Sequence, residues 1–215
     1  MKGYSSDLYI LAFDHRGTLT KGLLGVEGRA PNSDEVARVS SMKDIIFDGF
    51  LEAKNQGIEG GDPAILVDEA FGLQVQDKAK EMGIKFAAPV EKSGQKVFDF
   101  EYGDDFGKKI KEVNADFVKI LVRWNPDDDT DTRQIQGERI KTLSDWLDEN
   151  ERKFLLEFLV PASEQQLESV GGDQGRYDSE IRPKLAVQVV EEMRERGADP
   201  DIWKIEGLDT TDDCE

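Results

Sequence analysis

Short apolar, β-branched runs alternate along this chain with amphipathic segments of helical length, the pattern of βα units on a parallel sheet. The runs predict strands over residues 8–13, 64–67, 85–89, 117–122, 154–160 and 202–205. Between them the spacing predicts helices over 33–56, 72–82, 103–113, 132–150 and 181–196, with Ser33-Asp34-Glu35 as an N-terminal signal and Gly57 and Gly83 as helix stops. Residues 18–32 and 162–179 read as long glycine-bearing loops.

Regular βα alternation leaves an open doubly wound sheet or a (β/α)8 barrel. The first strand runs into FDHRG and carries no G-x-G-x-x-G, which removes the main support for a dinucleotide fold. Polar residues recur instead just after successive strands: Asp14, His15 and Arg16; Asp68 and Glu69; Arg123 and Asn125; Glu157 within its strand. Barrel enzymes assemble their sites at those ends, so the expected fold class is an α/β TIM barrel in one domain over 1–215. Six units are visible where a closed barrel needs eight.

Three residues break the apolar runs. In DIWKIEG, Lys204 sits among Ile202, Trp203 and Ile205 and shares a strand face with Glu206; in FVKILVRWNP, Lys119 shares one with Leu121 and Arg123; Glu157 interrupts KFLLEFLVP. An ammonium is costly to bury, so such a lysine must be paired, reach a strand end, or give up its proton. A neutral amine in a dry pocket can attack a carbonyl and form a Schiff base, and a carboxyl in apolar surroundings suits proton transfer. The alternative is a set of structural ion pairs, Lys204 or Lys119 with Glu157 or Glu206. Asp14 could orient a lysine or close a turn. His15, Arg16, Asp68 and Arg123 are candidate substrate ligands, the arginines for phosphate or carboxylate.

Composition narrows the classes. The net charge of −18 argues against nucleic acid or an anionic membrane as partner, and no apolar run has transmembrane length. An anionic substrate would need a local island of positive charge. The lone His15 and lone Cys214 rule out a histidine cluster or a cysteine-based metal site, and Asp127-Asp128-Asp129 lacks calcium-loop spacing. The expectation is a cytoplasmic protein with no metal and no cofactor, its oligomeric state open.

Taken together, FDHRG, ILVDEAFG, VKILVRWNP, LSDW, KFLLEFLVPA, the GGD with the later YDSEIRP, and DIWKIEGLD resemble a known family. It is the aldolase domain fused behind the sugar kinase in bifunctional 5-dehydro-2-deoxygluconokinase/5-dehydro-2-deoxyphosphogluconate aldolase proteins of inositol breakdown. More distantly the pattern is similar to tagatose-1,6-bisphosphate aldolase and other class I aldolases. The resemblance implies a metal-independent Schiff-base lyase on a (β/α)8 barrel acting on a sugar phosphate. It makes Lys204 the imine-forming lysine, Lys119 the second active-site lysine, Glu157 the proton-transferring glutamate and Asp14 the aspartate near the imine. The family continues through two more βα units after its sixth strand, so the expected form is a barrel truncated after the sixth unit. Against the aldolase stand two other readings: a catalytically silent fragment or binding module, and another sugar-phosphate barrel enzyme, such as an isomerase with Glu157 as base.

Overall fold

The computed structural model describes residues 2–58, 60–208, 210–211 and 213; Cys214 lies outside them. Two compact units divide the chain, Met1–Gly94 with Phe100–Lys119 and Gln95–Asp99 with Ile120–Glu215.

In the first unit, β1 (Leu8–Ala12), β2 (Asp62–Leu66), β3 (Lys85–Pro89) and the start of β4 (Phe117–Arg123) lie side by side in chain order. All are parallel, with Ile10 opposite Ala64, Ile65 opposite Phe86 and Pro89 opposite Lys119. Helices α1 (Gly17–Leu24), α2 (Ser33–Gln56), α3 (Glu69–Glu81) and α4 (Phe106–Val113) fill the connections. Phe47 and Phe50 of α2, Val75 and Ala79 of α3, and Ile65, Val67, Phe86 and Ala88 from the strands and their ends form the buried core. This burial of aromatic and branched side chains is the main stabilising term.

In the second unit, the rest of β4 is followed by β5 (Lys153–Leu159) and β6 (Ile202–Lys204), with α5 (Thr130–Glu149), α6 (Glu164–Ser169), α7 (Gln174–Arg176) and α8 (Arg182–Glu195) between them. Strands β5 and β6 are parallel, Leu155 opposite Ile202 and Glu157 opposite Lys204. Asp201 locks that register: its carboxylate accepts the Phe154 amide at 2.9 Å and pairs with Lys153 at 2.7 Å.

Parallel strands alternating with helices make this an α/β fold, compatible with six units of a TIM-like barrel. Among the described residues no helix is long and apolar enough to cross a membrane. The predicted strands are all present, each within two residues of its expected ends. Two expected loops contain helix. Helix α1 runs from Gly17 into the expected loop 18–32 and is closed by Gly25 at φ 65°. The stretch 162–179 holds α6, α7 and the start of a π-helical turn, Tyr177–Ile181. Helix α3 begins at Glu69, before Gly72, because Asp68 caps it. Gly72 is needed there: a Cβ would lie 2.3 Å from the Val67 side chain.

Candidate active site

The site residues of the first unit are built on the loop after β1. Lys43 reaches it from α2, where Val39, Lys43, Phe47 and Phe50 share the buried face at helical spacing. Its ammonium, wholly buried, donates to the carbonyls of Phe13 at 2.8 Å and His15 at 3.0 Å and pairs with Asp68. Asp68 spends its other oxygen on the Phe71 amide, 2.9 Å away at the start of α3. Burial pulls Lys43 below the usual lysine range and pushes Asp68 up, each opposed by the partner's charge. The two held carbonyls flank Asp14.

Asp14 accepts from Lys119 at 2.8 Å. Lys119 is only 2% exposed, and its ammonium also donates to Glu91 Oε1 at 3.1 Å. Arg16 donates to that same oxygen at 3.0 Å and, through its other terminal nitrogen, to the Glu91 carbonyl at 2.9 Å. Glu91 lies just past β3, fixed by a bridge to Phe100. Its Oε2 is buried and, among the described residues, accepts no hydrogen bond. Burial pushes Glu91 above the usual carboxylate range, against the pull of Lys119 and Arg16. A cavity of about 480 Å³ opens beside Arg16, lined also by Gly17, Ser93, Gly94 and Glu101.

The second unit holds the other pair. Lys204 and Glu157 face each other across β5 and β6, and the Lys204 ammonium donates to Glu157 Oε1. The Lys204 side chain is 38% exposed and that of Glu157 14%. Glu206 accepts the Val160 amide at 2.8 Å and lies 3.4 Å from Arg182. Arg123 donates to the Gln95 carbonyl at 2.9 Å. Asp128 and Asp129 serve a turn and the N-cap of α5.

Of the residues singled out in the sequence, the structure joins Asp14 with Lys119 and Glu157 with Lys204. Arg16 belongs with the first pair; Asp68 is held by Lys43 and the α3 cap; the His15 side chain is exposed. Sequence reasoning missed Lys43 and Glu91. The i, i+4, i+8 spacing of Val39, Lys43 and Phe47 was the signal for the first, and the position of Glu91 beyond a strand end was the signal for the second.

The profile of a family described as "Uncharacterized protein conserved in bacteria (DUF2090)" matches residues 2–214. The chain belongs to the DUF2090 family. This DUF2090 member is also similar to the tagatose 1,6-diphosphate aldolase of Lactococcus lactis subsp. lactis, 23% identical over 202 residues. That match covers 91% of the chain and 56% of the aldolase, so the chain spans about half the length of the curated relative.

Proposed function

We propose that this protein is a class I, Schiff-base aldolase acting on a ketose phosphate. The observation that carries the reading is the facing pair on β5 and β6, a partly exposed lysine amine with a carboxylate against it. Glu157 would accept the proton that Lys204 must lose before its nitrogen attacks the substrate ketone. Glu157 then returns that proton to the carbinolamine hydroxyl, which leaves as water as the iminium forms, and Glu157 is a carboxylate again. The electrons of the breaking carbon–carbon bond flow to the iminium nitrogen, giving an enamine, while the β-hydroxyl surrenders its proton to Glu157 and becomes the aldehyde. Reprotonation of the enamine carbon and hydrolysis release the ketone product and free the amine.

Lys119 and Asp14 join this reaction by the resemblance, and their own ion pair in the first unit is what supports them here. Arg16, beside its cavity, is the candidate phosphate ligand. For substrate, the resemblance favours 2-deoxy-5-keto-gluconate 6-phosphate, cleaved to dihydroxyacetone phosphate and malonate semialdehyde. The similarity to the Lactococcus protein favours a tagatose-type bisphosphate.

The test is borohydride reduction of the full chain with dihydroxyacetone phosphate, followed by peptide mass spectrometry. A reduced adduct on Lys204, absent in Lys204→Ala, is the expected result. A folded chain that gives no adduct would sink the aldolase reading.

A further inference from the structure

Glu91 is a buried carboxyl with unequal oxygens. Oε1 takes both cations, Lys119 at 3.1 Å and Arg16 at 3.0 Å, while Oε2 accepts nothing among the described residues. A proton can therefore settle on Oε2 without breaking any contact of the cluster. Asp14, the other carboxyl on Lys119, faces Lys119 with Oδ2 and is the more exposed of the two, 13% against 6% for the side chains. Of the two carboxyls on Lys119, Glu91 is the more buried.

The charge arithmetic gives this a consequence. Arg16 and Lys119 against Asp14 and Glu91 make a balanced set of four. Glu101, 3.7 Å from Arg16 and on the lining of the cavity, adds a further negative charge, so the group carries one net negative charge with Glu91 ionised and none with Glu91 neutral. The chain as a whole has a formal charge of −18, so an anion is held beside Arg16 more readily once that local negative charge is removed.

We propose that Glu91 is a proton-linked gate for anion binding in this cavity: an anion that settles beside Arg16 brings a proton onto Glu91 Oε2. The proposal rests on the phosphate role given to Arg16 above, and it adds that the phosphate of the substrate is bound together with a proton. In the ledger of the step, one proton leaves solvent, one O–H bond forms on Glu91, and nothing is oxidised or reduced. Burial of Glu91 favours the protonated acid, as the gate requires. The charged groups around Glu91 are Arg16 and Asp14 from the loop after β1, Lys119 from β4, and Glu101, whose carboxylate lies 3.7 Å from Arg16. The Lys43–Asp68 pair stands behind them.

The experiment uses sulfate, which stays a dianion throughout and so adds no titration of its own. Its binding to the full chain is measured by calorimetry from about pH 6 to about pH 8, in buffers of different ionisation enthalpy. One proton taken up per sulfate, and affinity falling up to about tenfold per pH unit above the Glu91 midpoint, are expected. Glu91→Gln keeps the Oε1 contacts and is permanently neutral, so it should bind sulfate with no proton uptake and no slope. In the wild-type chain, the carboxyl resonance of Glu91 in a 13C-glutamate spectrum should titrate higher when sulfate is added, a reading that stands even if the variant does not fold.

Sulfate that binds without proton uptake, an equal slope in Glu91→Gln, or no sulfate binding at all would overturn the gate. Borohydride trapping on Lys204 in the same preparation reports on the aldolase reading separately, since an imine can form whether or not anion binding carries a proton.

Discussion

Lys43 shows how one buried charge organises a loop. Its ammonium has three acceptors, the Phe13 and His15 carbonyls and Asp68. Breaking a buried pair by deleting one partner leaves the other charge uncompensated, which costs about 3–5 kcal/mol. Lys43→Met is therefore expected to lower unfolding free energy by about that amount in urea, because methionine matches the volume but offers no donor. A loss below about 1 kcal/mol would mean that the pair is nearly neutral to stability. The same clamp holds the backbone on both sides of Asp14, so the Lys119 partner depends on a residue from α2. At this scale the sequence displayed the intrastrand lysines plainly, since an ammonium in an apolar strand is conspicuous. It hid Lys43, because one lysine among many on a charged helix looks solvated until its face is known.

Elements show the opposite balance. The strands were legible because β-branched runs bounded by polar turns have few other ways to fold. Helix α2 was legible to its ends: Asn32 caps it, and Glu35 returns the bond to the Asn32 amide at 2.8 Å. Arg29 grips Glu35 with both terminal nitrogens, and these bonds hold the Glu35 carboxyl down at about 2. Because the folded value is depressed, the unfolded chain binds this proton first as pH falls. The stabilisation is full above pH 4.5 and is lost on descent towards 2. In Glu35→Gln the capping bond survives but the charge does not, so the Tm gap from wild type should be widest near neutrality and close between pH 4.5 and 2. A gap that stays constant over that window would show that the charge contributes nothing. Helices α1 and α6 went unread for a local reason. GTLTKGLL is poor in helix formers, and α6 is six residues long, although Ser163 and Gln166 already spelled its capping box.

For the whole molecule, 46 acidic against 28 basic side chains give the net charge of −18. Exposed ion pairs such as Lys21–Glu27 and Arg176–Glu180 are already counted in that sum and contribute no net charge. Excess like charge weakens the compact state by self-repulsion, which salt screens over about 10 Å at about 0.1 M. Raising sodium chloride from about 0.01 M to about 0.3 M should raise Tm. A fall would mean that the surface pairs outweigh the repulsion. The sequence by itself determined the βα alternation, the strands, and which strand residues were too polar for their surroundings, because these follow from local pattern and from the cost of burying charge. Only the tertiary structure decided the partners: Glu157 rather than Glu206 for Lys204, Asp14 together with Glu91 for Lys119, and Lys43 for the carbonyls beside Asp14. Those partners come from strand register and helix rotation, which bring residues far apart in the chain within hydrogen-bond reach, and no local pattern encodes that distance.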